Sequence, residues 1–289
     1  DKLREMVIQD NNPFDENDWD MLANEWDAEE LNEWGFDLPE SWNVPEEKEC
    51  KAEDDGFNPP EEIVTDIEYG DIFEISYDGI THRLSCGDSC NHGDVEKMMG
   101  GEKADLIFTD PPYDLTDNYS GNIFDCAKDD CHIFIMNSDA KLIDNVNNGI
   151  GWFRRFFAVD FRQARLVSNN MPMTRVDLIA EFLKGKSKFR NLHDGFSTLI
   201  ECSKIHSDRV DMNFGHKQAK RVELPGMFIS HYSAPGELVV DFFGGSGTTL
   251  VAAQHLGRRC YIQEYEPKNC QIIVDRFLNS FKNATINKV

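Results

Sequence analysis

The stretch that most constrains this chain is Asp105-Leu-Ile-Phe-Thr-Asp-Pro-Pro-Tyr113. Leu106, Ile107 and Phe108 form a short unbroken apolar run, which is the pattern of a strand buried on both faces. Pro111 and Pro112 make the turn beyond it rigid and remove two backbone donors. Asp110 and Tyr113 are therefore expected at the carboxyl end of a strand, where open α/β sheets place their ligands. A carboxylate acceptor, a free backbone carbonyl and an aromatic face suit a flat substrate that carries an exocyclic amine. An ordinary Asp-Pro turn after a strand would also explain the four residues.

A second stretch narrows the reading. Gly236 to Leu250 reads as a turn, a strand (Leu238, Val239, Val240), a glycine-rich loop and the start of a helix. Gly244, Gly245 and Gly247 permit tight turning and close approach of a ligand to the backbone. Free N–H groups at the helix start suit a carboxylate or a phosphate. No lysine follows, so this is not a Walker loop, and the glycine spacing is not the dinucleotide fingerprint.

Asp-Pro-Pro-Tyr at 110–113 resembles the catalytic motif of DNA amino-methyltransferases acting on adenine N6 or cytosine N4. The loop after Val240 is similar to the S-adenosylmethionine loop of the same enzymes. The resemblance covers residues 83–278, with the catalytic motif first and the cofactor loop last, which is the order of the permuted (beta) class. It implies a Rossmann-like α/β fold: a mostly parallel seven-stranded sheet, helices on both faces, and an antiparallel strand near one edge. Strand 83–86 would lie beside the strand ending at Glu264.

The resemblance also implies roles. Asp110, Pro111, Pro112 and Tyr113 would be catalytic, with the target base flipped out of the duplex and stacked on Tyr113. Asp88, Lys220, Asp241, Phe243, Gly244, Gly245, Ser246, Gly247, Thr248 and Glu264 would hold S-adenosylmethionine. Asp88 would reach the adenine of the cofactor and Glu264 its ribose. Asp88 could equally close an Asx turn, and Glu264 could be a carboxylate serving a helix N-terminus. Asp at position 110, where N4-cytosine enzymes more usually have Ser, points to adenine. The segment Gly215 to Leu224 is similar to a family segment beside the cofactor carboxylate, but has Lys217, Gln218 and Arg221 in place of Pro, Thr and Pro. Pro225-Gly226 is expected to interrupt the helix that should follow. A fold that binds the cofactor without transferring methyl, an N4-cytosine enzyme, and an RNA or protein methyltransferase all remain open on the sequence.

Charge is unevenly spread. The formal net charge is −24, yet residues 1–80 hold 27 acidic against 4 basic side chains, and residues 81–289 hold 26 against 25. Residues 150–221 carry 14 basic and 7 acidic side chains, a local excess suited to phosphates. Arg154, Arg155, Arg162, Arg165, Arg175, Lys186, Lys188 and Arg190 are the candidate DNA contacts. Ser203 to His216 is too short for a separate recognition domain, so a homodimer or a partner subunit is expected to supply sequence readout.

Residues 1–49 are acidic and punctuated by tryptophans, and Asn24 to Trp42 resembles the tail of a ParB-like domain. A docking helical module explains them as well. Residues 50–62 read as a charged linker and residues 63–289 as the catalytic domain. Ile63 to Ser76 suggests a hairpin or two short strands, and Asp114 to Asp125 a flexible loop over the site. Eight scattered cysteines without a Cys-x-x-Cys pair suit reduced thiols in a cytoplasm. The absence of a long apolar run argues against a membrane span.

Overall fold

The computed structural model describes residues 55–57, 59–60, 62–115, 118–165, 174–190, 196–201 and 222–289. The expected helical tail, Lys220 and most of the Gly215–Leu224 segment lie outside the described residues.

The body is one ten-stranded sheet. In chain order its strands are β1 (Ile72–Tyr77), β2 (Ile80–Cys86), β3 (Ala104–Thr109), β4 (Ala127–Asn137), β5 (Phe153–Arg165), β6 (Thr174–Lys184), β7 (Leu199–Glu201), β8 (Leu238–Asp241), β9 (Arg259–Glu264) and β10 (Thr285–Lys288). Their spatial order is β10-β1-β2-β9-β8-β3-β4-β6-β5-β7. From β2 to β4 every pairing is parallel. β6 runs antiparallel to both β4 and β5. The expected seven strands are β2 to β5 with β6 inserted, β8 and β9, in the expected arrangement, and Cys86 does pair with Glu264. The sheet exceeds the expectation by three strands: β1 and β10 extend one edge antiparallel, and β7 extends the other.

Residue alternation assigns the two faces. Leu106 and Phe108 of β3 join one core with Phe134, Val239 and Ile262, while Ile107 joins the other with Ile133, Ile135 and Val240. Helices α1 (His92–Met99), α2 (Ser120–Cys126) and α3 (Asp139–Asn148) cover the second core through Met98, Phe124 and Leu142. Helices α4 (Glu223–Tyr232), α5 (Thr248–His255) and α6 (Pro267–Ser280) cover the first through Phe228, Leu250 and Phe277. Every residue of β3 is buried, as its position in mid-sheet between two helical layers requires.

Three local expectations change. The hairpin lies at residues 72–86 instead of 63–76, turning at Asp78 (φ 47°) and Gly79 (φ 77°), the left-handed pair that a two-residue hairpin loop demands. Residues 120–126 form α2, so the latter half of the expected loop is helical. Helix α4 runs through Pro225 and Gly226. Pro225 falls in its first turn, where the missing N–H has no intrahelical partner to lose, and Gly226 N still donates to Val222 O at 3.1 Å. Among the described residues no helix is long and apolar enough to cross a membrane.

Candidate active site

At the end of β3 the chain leaves the sheet at Asp110. Pro111 is buried and Pro112 exposed, and Leu115 N donates to Pro112 O at 3.1 Å to close the turn. Tyr113 is 42% exposed, an accessible ring beside a buried strand end. β8 pairs parallel with β3 through Leu106–Val239 and Ile107–Val240, so the glycine-rich loop emerges alongside Asp110. From this point the chain after β3 proceeds to β4 on one side, and the chain after β8 proceeds to β9 on the other. The crevice between them is the topological switch point where open α/β sheets bind ligands.

Asp241 fastens the two strand ends together. Its Oδ1 accepts from Thr109 Oγ1 at 2.8 Å and from Phe243 N at 3.1 Å, and its Oδ2 accepts from Thr249 Oγ1 at 2.7 Å. Thr109 Oγ1 also accepts from Phe242 N at 3.2 Å. Burial pushes the Asp241 carboxyl up, against these hydrogen bonds. Asp241, expected among the cofactor ligands, has both carboxylate oxygens engaged by Thr109, Phe243 and Thr249.

The loop itself turns through Gly245 (φ 52°) and Gly247 (φ 81°), backbone conformations that side chains resist. A Cβ at Gly244 would come within 2.7 Å of Ile262. Gly244 N donates to Gln263 O at 2.8 Å, tying the loop to β9. At the end of β9, Glu264 Oε2 accepts from Gly245 N at 2.7 Å, and Oε1 accepts from Glu266 N at 3.0 Å and Asn269 Nδ2 at 3.3 Å. Burial raises the Glu264 carboxyl against these donors. Asp88 lies just past β2, where its Oδ1 accepts from Cys90 N at 2.8 Å. The Asx turn weighed on the sequence is thus formed, and it uses one of the two carboxylate oxygens. Gly87 N donates to Glu264 O at 3.0 Å, so both acidic residues sit on one rim with the loop.

This geometry has counterparts. Residues 185–275 match the model of a DNA methylase family, N6_N4_Mtase. The type II methyltransferase M.BamHI of Bacillus amyloliquefaciens is 23% identical over 240 residues, spanning 66% of this chain and 56% of that protein. The chain therefore spans a little over half the length of this curated relative. Among solved structures, the complex of M1.HpyAVI with SAM superposes with a TM-score of 0.55 at 19% identity, covering 67% of this chain and 98% of that one. The PvuII DNA methyltransferase, described as cytosine-N4-specific, gives 0.54 at 20% identity, covering 70% and 87%. TTHA0409 of Thermus thermophilus, complexed with S-adenosyl-L-methionine, gives 0.52 at 18% identity, covering 70% and 95%. The fold is that of an S-adenosylmethionine-dependent methyltransferase.

Within this methyltransferase fold the basic candidates separate into two groups. β5 is parallel to β4, and β6 returns between them. The backbones of Arg162, Arg165 and Arg175 thus lie toward the carboxyl ends of the parallel strands, the same end as Asp110. Arg154, Arg155, Lys186, Lys188 and Arg190 lie toward the opposite end. Arg155 Nε is 3.1 Å from Glu181, and Lys188 Nζ is 3.7 Å from Asp105 and 3.5 Å from Glu237. Arg190 Nη1 donates to Ser233 O at 3.5 Å. All five lie at the end of the sheet away from the crevice: Arg154 and Arg155 open β5 there, and the antiparallel return of β6 brings residues 184–190 back to it.

Three features of the site went unread in the sequence. Tyr119 is 4% exposed, and its hydroxyl accepts from Asn137 Nδ2 at 3.2 Å and Asn145 Nδ2 at 3.0 Å. Its ring meets Phe243 edge-on at 5.2 Å, so the segment after Tyr113 is anchored against the glycine-rich loop. Thr109 was overlooked because a threonine ending an apolar strand carries no signal of its own. Arg276 was overlooked although it stands beside the apolar stripe Cys270, Ile273, Val274, Phe277 of α6, where a charge needs an explanation.

Proposed function

We propose that the crevice binds S-adenosylmethionine and that the protein transfers its methyl group to the exocyclic N6 of adenine in DNA. The observation that carries this reading is the adjacency of Asp110-Pro111-Pro112-Tyr113 to the 244–248 loop at the switch point of a methyltransferase sheet. Glu264 and Asp88 on the rim suit the ribose and the adenine of the cofactor, Asp88 through the oxygen not used in its turn. When bound, S-adenosylmethionine supplies an electrophilic methyl on a sulfonium.

The residues of this chain do the rest. A base inside a duplex cannot reach the crevice and must be flipped out, at a cost of a few kcal/mol. Exposed Tyr113 offers it a stacking face. Asp110 and the Pro111 carbonyl accept hydrogen bonds from its amino group, which draws the nitrogen lone pair out of ring conjugation and aims it at the methyl carbon. The new N–C bond forms as the S–C bond breaks, its electron pair stays on sulfur, and the amine proton leaves through Asp110 to water. Positioning and electrostatics carry the rate, with no covalent enzyme intermediate. The preference for adenine over cytosine N4 rests on Asp at 110.

The chain order, catalytic motif before cofactor loop, supports membership of the permuted amino-methyltransferases. Sequence readout falls to a second copy or a partner subunit, and residues 1–49 are the tail of a ParB-like domain. Calorimetric titration with S-adenosylmethionine, followed by methyl-transfer assays in which duplex DNA and RNA compete, tests the reading. Binding with transfer to DNA supports it; preferential transfer to RNA, or binding without transfer, refutes it.

A further inference from the structure

Arg276 of α6 is a fully spent buried cation. Its side chain is 2% exposed and that of its partner Asp55 is 5% exposed. Nε and Nη2 donate to the two carboxylate oxygens of Asp55 at 2.5 and 2.9 Å, the bidentate pairing that gives most geometric definition. Nη1 donates to Ser246 O at 3.1 Å, Ser246 Oγ at 3.0 Å and Thr248 Oγ1 at 2.9 Å. Ser280 Oγ adds a weaker bond to Asp55 at 3.4 Å, and the Phe57 ring lies 5.7 Å from the guanidinium carbon. Asp55 and Phe57 fall in the stretch that reads as a linker in the sequence, yet both belong to the body.

From these contacts we infer that Asp55 is a positioning residue for the 244–248 loop, acting through Arg276, so that the segment preceding the catalytic fold sets the shape of the proposed cofactor site. The inference rests on the reading of that loop as the place of S-adenosylmethionine. The loop is glycine-rich and left-handed at two points, so its own torsional preferences do not fix it. It is held from outside at three places: Gln263 O takes the Gly244 amide, Glu264 takes the Gly245 amide, and Arg276 takes the carbonyl and hydroxyl of Ser246 and the hydroxyl of Thr248. Without Asp55 the guanidinium keeps its charge in a buried place and loses the carboxylate that orients it, a strongly unfavourable state. The side chain then turns toward water or another acceptor and releases the loop. S-adenosylmethionine carries a sulfonium as well, and a guanidinium without its counter-charge beside the loop opposes it further.

The test uses the full chain, S-adenosylmethionine as probe, and the variants Asp55→Asn, Arg276→Gln and their combination. Asp55→Asn should weaken S-adenosylmethionine binding about ten-fold or more, with kcat at saturating cofactor within about three-fold of wild type, because the catalytic residues are untouched. The double variant should be no weaker than the worse single one, since both break the same pairing. Without ligand, Asp55→Asn should speed hydrogen exchange at Gly245–Thr248 while β3 and β4 keep their protection. Wild-type binding with unchanged affinity in Asp55→Asn overturns the inference and leaves the loop assignment standing. Exchange accelerated equally throughout the body also overturns it, because the pair then serves global stability only. A wild type that binds no S-adenosylmethionine overturns the loop assignment, and the inference with it.

Discussion

Replacing Thr109 by valine exchanges one hydroxyl for a methyl of similar volume at a position 1% exposed. The hydroxyl donates to Asp241 at 2.8 Å and accepts from Phe242 N at 3.2 Å, so one change severs the link between β3 and the loop that follows β8. Two terms add. Losing a hydrogen bond to a carboxylate costs about 1.5–3 kcal/mol, and leaving the Phe242 amide without its acceptor costs about 1–3 kcal/mol. The added methyl returns at most about 0.8 kcal/mol, and Asp241 keeps its bonds from Phe243 N and Thr249. The net loss is about 2–5 kcal/mol. In urea the unfolding midpoint should fall with an unchanged slope, and the melting temperature should drop by roughly 4–20 °C. Thr109→Ser, which keeps the hydroxyl, should retain most of the stability. A valine variant within about 0.5 kcal/mol of wild type, or a serine variant less stable than the valine one, would refute this account of how the two motifs are joined.

Asp110→Ala should lower methyl transfer by at least about a hundred-fold while S-adenosylmethionine affinity, measured by titration, stays within a few-fold. Arg259 first, and then the Tyr261 hydroxyl, hold the Glu102 carboxyl down at about 2 from its ordinary 4.5. The stability this contributes is complete above about 4.5 and is lost as pH falls toward 2, so Glu102→Gln should flatten that part of the acid limb in a pH series of unfolding midpoints. Replacing Arg162 and Arg165 by Gln should weaken DNA binding and reduce the slope of log affinity against log salt by about 1 for each phosphate no longer neutralised. The same replacement of Lys186 and Lys188 should leave that slope alone, since these residues lie at the other end of the sheet.

Much of this site could be read in advance where local and tertiary demands coincide. Leu106 to Phe108 is apolar because both faces of β3 are covered, and the prolines after Asp110 can only end the strand, so the element and its rim were legible together. The same holds for Val239-Val240 and the glycines beyond them. Other features depend on partners distant in the chain. Asp241 shows its link to Thr109 and Thr249 only in three dimensions, and Asp55 looks like linker until Arg276 is found 221 residues away. The basic candidates divide between the two ends of the sheet because β6 reverses direction within the run. The first hairpin lies further along than expected because Asp78-Gly79, between Tyr77 and Ile80, makes its tight turn. The edge strand β10 is short and largely exposed, so no burial pattern marks it.

The central claim is tested most directly by incubating the full chain with S-adenosylmethionine carrying a labelled methyl group and a random-sequence duplex DNA library, then identifying the labelled nucleoside and sequencing around it. The account predicts label in N6-methyladenine, absent when Asp110 is replaced by Ala; label in N4-methylcytosine, or none in DNA from a chain that binds the cofactor, would contradict it.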